Sequence, residues 1–136
     1  MENIKRITLF CFLYLATTPV FAGFDILFCT NPDNMNTCKE GGGNYILEGE
    51  QTSLQIMVVN KDKLAVSKLR YMIFFMKDKT EGTLYADLAL KVNPEELFAL
   101  KKIFFYKPGK YKIDILNAET NIPISISFVT IDVATK

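Results

Sequence analysis

Histidine and tryptophan are both absent from this chain, and cysteine occurs only three times in 136 residues. Without imidazole, the side chain whose ordinary pKa lies nearest neutrality, no Ser-His triad, histidine zinc site or histidine proton shuttle can be assembled. An excess of one charge is missing too, since 16 Lys and Arg face 15 Asp and Glu for a net +1, and the basic residues form no cluster. Phosphate recognition needs concentrated Lys and Arg, so nucleic acid is excluded as a partner. No Asn-x-Ser or Asn-x-Thr acceptor is present. Apolar side chains, by contrast, make up 49% of the chain. A chain of this length buries roughly two-thirds of its unfolded surface, enough for a single self-sufficient domain without a structural metal.

The first segment reads as an address. Lys5 and Arg6 precede the apolar run Ile7 to Ala16, and Val20, Phe21 and Ala22 place compact residues where a signal peptidase cuts. That is the form of a secretory signal peptide spanning residues 1–22. A membrane anchor is the other reading, but the apolar stretch from Ile7 to Phe24 is only 18 residues and is broken by Thr17, Thr18 and Pro19. Removing 22 of 136 residues leaves a domain of 114, residues 23–136, with Glu2, Lys5 and Arg6 gone and 14 charges of each sign remaining. The expected location is periplasmic or secreted. Cys11 leaves with the signal, so Cys29 and Cys38 remain as an even pair in an oxidising compartment, and a disulfide between them is expected. Asn31, Asp33, Asn34 and Asn36 inside that loop offer oxygens to a calcium ion, with one carboxylate among them.

After Gly43 the chain becomes a series of short runs rich in Ile, Val, Phe, Tyr and Leu. Leu54, Ile56 and Val58 alternate with Ser53, Gln55 and Met57, the period of two of a half-buried strand. Leu69 to Met76, Thr83 to Val92, Leu100 to Tyr106, Tyr111 to Ile115 and Ile122 to Val133 follow as strands, the last with Ile124, Ile126 and Phe128 alternating with Ser125 and Ser127. Asn93 and Pro94 cap one short helical turn over 94–99. Pro108 and Gly109 sit where a type II turn wants them. The expectation is an all-β, seven-stranded antiparallel sandwich with one short helical turn.

The run Pro108, Gly109, Lys110, Tyr111, Lys112, Ile113, leading into a hairpin and a final alternating strand, is similar to the late strands of immunoglobulin-like domains. The resemblance implies that Tyr111 anchors a corner by hydrogen-bonding back to the backbone. It covers about 30 residues closely. The antibody-type core is not implied, because no Trp is present and Ile113 stands where that pattern has its second cysteine. The implied relative is a bacterial Ig-like β-sandwich module.

No catalytic constellation stands out. Lysine could replace histidine in Ser67 with Lys68, or in Ser127 with Lys112, but all four lie in strand-like patterns where a solvated sheet face explains them. Glu95 and Glu96 suit the start of a helical turn. Met35, Met57, Met72 and Met76 read as core filler before soft-metal ligands. No cofactor is expected, and the chain reads as non-catalytic.

The informative feature is a failure of alternation. Leu69, Tyr71, Ile73 and Phe75 make one core face, yet Met72, Phe74 and Met76 are apolar on the other, and Phe104 and Tyr106 oppose Ile103 and Phe105. In a sandwich only one face of a strand meets the core. Three covers are open for the surplus: the Cys29 to Gly43 loop or the 94–99 turn folding over it, a protein partner or second copy of the chain, or a membrane surface. The expected function is an exported binding or assembly module docking a protein through Met72, Phe74, Met76, Phe104 and Tyr106. The rival is a carrier of a small apolar ligand or lipid, with Phe74, Phe104, Phe105 and Tyr106 lining its pocket.

Overall fold

Nine strands stack into two sheets in the computed structural model, which describes residues 24–133 other than 42 and 48. The expected signal peptide at 1–22 lies outside the described residues. Strands β1 (Phe24–Cys29), β2 (Cys38–Glu40), β4 (Thr52–Asn60) and β7 (Phe98–Phe105) form one sheet in the order β2-β1-β4-β7. Strands β3 (Asn44–Leu47), β5 (Lys68–Met76), β6 (Gly82–Lys91), β8 (Gly109–Asn117) and β9 (Ile122–Val133) form the other, in the order β3-β9-β8-β5-β6. The all-β sandwich is as expected. The strand count is nine and not seven, and the pairing is not wholly antiparallel, because β3 runs parallel to β9.

The additional strands lie between Phe24 and Leu47, before the first strand read in the sequence. β2 is three residues long and largely exposed, and it exists because its first residue is tied to β1. Cys29 and Cys38 are directly opposite each other in that pair and form a disulfide. The helical turn also moves. Residues 94–97 form a plain turn, in which Asn93 Oδ1 accepts the Glu95 amide at 2.9 Å and Asn93 O accepts Glu96 N at 3.0 Å, while the single helical turn among the described residues is the 3-10 turn Met35–Thr37. Asn34 caps that turn with its side chain, accepting from Asn36 N.

The core follows the period of two. Leu54, Ile56 and Val58 of β4 and Ile26 and Phe28 of β1 meet Leu69, Tyr71 and Ile73 of β5 and Tyr111, Ile113 and Ile115 of β8 in one continuous cluster. At its end Tyr111 stands edge-on to Phe75, Tyr85 and Phe105, with centroids 4.8 to 5.2 Å away. The Tyr111 hydroxyl donates to the Lys107 carbonyl at 2.7 Å, four residues back. Burial and the nearby Tyr85 push its pKa up to about 12. The turn before it needs Gly109, whose φ is +146° and whose missing Cβ would fall on the Phe75 ring.

Strand β9 departs from the pattern read in its sequence. Ser125 and Ser127 lie opposite Ile115 and Ile113 and therefore share their inward face, with Val129 and Ile131 continuing it. Ile126 and Phe128 point outward, and an irregularity near Ile124 lets that residue bury as well. The inward Ser127 has a reason. Strands β2 and β3 belong to different sheets, a Cβ on Gly41 would collide with Ser127 Oγ, and Thr130 N donates to Gly43 O at 3.1 Å. A larger inward residue at 127 would run into Gly41.

Candidate functional site

The outer face of the five-stranded sheet can be written as rows of laterally paired residues. One row is Leu84, Phe74, Lys112 and Phe128; the next, toward the other end of the strands, is Asp87, Met72, Asp114 and Ile126. On either side of these run Gly82, Met76, Lys110 and Thr130, and then Ala89, Arg70, Leu116 and Pro123. Leu84, Phe74, Phe128, Met72, Ile126 and Met76 thus cluster on one face, with Leu116 and Pro123 beyond them. Leu84 is 54% exposed, Ile126 46% and Phe128 37%, while Met72, Phe74 and Met76 are partly shielded by their neighbours and belong to no core cluster.

Charge is laid among these residues. Lys112 Nζ sits 5.0 Å from the Phe74 ring centroid, and Lys110 Nζ 5.4 Å from that of Phe128, both within cation–π range. Arg70 forks onto Asp87 with bonds of 2.9 and 2.6 Å and also donates to Asn121 at 3.0 Å. Asp87 is accordingly held below the ordinary carboxylate range, chiefly by the Arg70 hydrogen bonds. Asp114 is different. It stands between Met72 and Ile126, its Oδ2 is a loose 3.7 Å from Lys112 Nζ, and its Oδ1 is buried with no hydrogen-bond partner in the chain. Desolvation raises its pKa against the pull of Lys112.

The five residues expected to act together do not share one face. Met72, Phe74 and Met76 do, but Phe104 projects from the other sheet and Tyr106 follows the end of its β7 edge strand. Beside them the Tyr85 hydroxyl donates to Phe104 O at 2.9 Å and accepts from Tyr106 N at 3.2 Å, closing the corner between β6 and β7. A one-residue irregularity in β6 makes this reach possible, since Tyr85 turns inward between outward Leu84 and inward Ala86. The four-residue lining expected for a carrier is likewise not assembled, because Phe105 is wholly buried and Phe74 lies on the opposite sheet.

Sequence reasoning missed Leu84, Ile126 and Phe128. The available signal lay in β9, where apolar residues occupy both parities: Ile124, Ile126 and Phe128 on one, Val129, Ile131 and Val133 on the other. Only one set could face inward.

The disulfide loop does cover an apolar face, but that of the four-stranded sheet. Met57 points outward from β4 and is still only 4% exposed, in a cleft of about 360 Å³ that it shares with Pro32, Met35, Val59, Phe98 and Leu100. Asn31 Oδ1 accepts from Asp33 N and Asn34 Oδ1 from Asn36 N, so oxygens considered for calcium serve local turns. Ser67 Oγ donates to Glu119 at 2.7 Å, and Ser127 lies on the face opposite Lys112. Neither Ser-Lys pair forms.

No family model and no curated protein matches the chain. Among solved structures it is similar to the CARDB domain of a Pyrococcus furiosus protein crystallised with di-metal ions, at 12% identity over 82% of this chain and 94% of that one, with a TM-score of 0.44. It is also similar to superoxide reductase (neelaredoxin) from Ignicoccus hospitalis, at 10% identity over 70% of this chain and 77% of that one, with a TM-score of 0.41.

What the outer face can do chemically follows from its side chains. It presents apolar surface with one cation, Lys112, and one half-buried anion, Asp114, at its centre.

Proposed function

We propose that this chain is an exported Ig-like β-sandwich that works by docking a protein on the outer face of its five-stranded sheet. The observation that carries the reading is the row structure of that face. Leu84, Met72, Phe74, Met76, Ile126 and Phe128 are neighbours, among the described residues no third sheet stands over them, and the turn at Lys77 to Lys79 and the residues Glu40 and Gly41 border Met76, Ile126 and Phe128. Apolar clusters of this kind, rimmed by charge, mark interfaces. The Ig-like assignment is supported by the sandwich order, the β3–β9 parallel pair and the Tyr111 corner. Export is supported by the shape of residues 1–22 and by the Cys29–Cys38 disulfide. Among the described residues no helix is long and apolar enough to cross a membrane.

The decisive experiment is Phe74→Glu in the full chain. The variant should keep its fold and lose the protein that co-purifies with the unmodified chain after mild cross-linking. Retention of that protein by the folded variant would end the proposal.

A second reading has its own observation. The cleft between the disulfide loop and β7 is apolar, and its volume falls at the lower end of ligand pockets. A lipid-like ligand held there would raise the melting temperature in proportion to the logarithm of its concentration. No shift with any fatty acid or lysolipid would remove the carrier.

A further inference from the structure

We infer that the occupant of this face is a second copy of the chain, packed sheet against sheet about a two-fold axis lying between the sheets and crossing β8 at Ile113. The inference rests on the docking reading above and names its partner.

A two-fold interface brings a patch against itself. With the axis across the strands at Ile113, each strand lies over its own copy in the opposite direction, so the Lys112 row meets the Asp114 row of the second copy. Phe74 then lies over Met72, Phe128 over Ile126, and each Lys112 over the other copy's Asp114. In the flanking rows Met76 meets Arg70, Lys110 meets Leu116 and Thr130 meets Pro123. No like charges face each other. The same superposition along the strands would set Lys112 on Lys112 and is disfavoured by charge.

Two further observations fit. The Lys112–Asp114 pair within one copy is loose at 3.7 Å, and both side chains stay partly exposed, at 30% and 24%, so each has capacity that the other copy would fill. The size is also sufficient. Four strands spaced about 4.8 Å apart and nine residues long at about 3.3 Å each give a footprint of roughly 600 Å² per copy before side-chain relief. Specific interfaces bury upward of about 500 Å² per copy. Aligned sheets pack about 10 Å apart, close enough for these side chains to interdigitate.

The test is sedimentation velocity of the full chain, purified as the cell processes it, from about 1 to 300 μM. The unmodified chain should pass from monomer to dimer in this range. Lys112→Glu and Asp114→Lys should each weaken the dimer by about a hundredfold through like-charge contact. Mixed one to one, the two variants should pair with each other at the unmodified affinity, and the double variant Lys112→Glu with Asp114→Lys should again dimerise alone. An unmodified chain that stays monomeric, variants that dimerise unchanged, or a mixture that stays monomeric would overturn the inference. A monomeric chain that still retains a different protein through Phe74 would overturn the second copy and leave the docking face standing.

Discussion

Ile73 and Phe74 are consecutive in β5 and point to opposite sides of the sheet, so the same substitution at each gives opposite outcomes. Ile73 is fully buried among Tyr71, Ile113 and the inner residues of β4, and Glu in its place would put an unpaired charge in the core. That costs several kcal/mol, a large part of the roughly 5 to 15 kcal/mol that hold such a domain together. Phe74 lies directly opposite Lys112 on the outer face. Glu there loses the partial shelter of the ring and the cation–π contact, but gains a cross-strand ion pair of about 0.2 to 1 kcal/mol. The net change should stay within about 1 kcal/mol, which for this length is a melting shift of roughly 4 °C. Circular dichroism melts of the two variants decide the matter. Ile73→Glu should show no cooperative transition near room temperature, whereas Phe74→Glu should melt close to the unmodified protein. If Phe74→Glu unfolds as Ile73→Glu does, the outer face is interior surface and both the docking reading and the dimer fall.

Tyr111→Phe removes the 2.7 Å bond to the Lys107 carbonyl and should cost about 1 kcal/mol in urea unfolding. Because the folded pKa of Tyr111 is raised from 10 to about 12, its neutral form supports the fold below pH 10 and that contribution fades as pH rises through 12. The unmodified protein should therefore lose stability over that window more steeply than the Phe variant, and equal slopes would contradict the assignment. Gly109→Ala forces a side chain into a backbone at φ +146° and onto the Phe75 ring, and should lower stability by roughly 2 kcal/mol or more; an unchanged melt would mean the turn relaxes freely. Asp114→Asn should stabilise the monomer at pH 7, since desolvation raises the folded carboxyl above its ordinary 3.8 and ionisation then works against folding. That advantage should vanish below about pH 3, where the carboxyl is protonated in both states, and an advantage that persists there would point to another cause. Replacing both Cys29 and Cys38 by Ser opens a nine-residue separation and should cost somewhat under about 3 kcal/mol, read from denaturant midpoints.

Much of this architecture is legible in the residues themselves. Strands β4 to β8 show the period of two, Pro108 and Gly109 announce their turn, and Tyr111 stands where an Ig-like corner needs it. The outward position of Met72, Phe74 and Met76 follows from Leu69, Tyr71 and Ile73 facing inward. Other features are hidden for physical reasons. β1 follows directly on the largely apolar residues from Ile7 to Ala22, so its own alternation of Ile26 and Phe28 is masked by what precedes it. β2 has almost no burial of its own and is a strand only because the disulfide sets Cys38 opposite Cys29. Phe104 and Tyr106 fail alternation in the same way as Met72 and Phe74, yet sequence alone cannot say that their strand belongs to the other sheet.

The inversion of β9 separates what the fold requires from what it merely allows. A small residue must face inward at Ser127, because Gly41 lies so close that even a Cβ there would meet Ser127 Oγ. Nothing in that contact requires Ile126 and Phe128 to be apolar, and Thr130 shows that a polar side chain serves on the same outward row. The same holds for Met72 and Phe74 in β5, two strands away, whose outward neighbour Arg70 is charged. Burial in the core fixes one set of side chains on each strand, so the core does not account for the apolar character of the other set. Two separate strands carry it at positions that register brings side by side with one unmet carboxylate oxygen at the centre. That coincidence is what the proposed docking face would require, and the fold alone does not explain it.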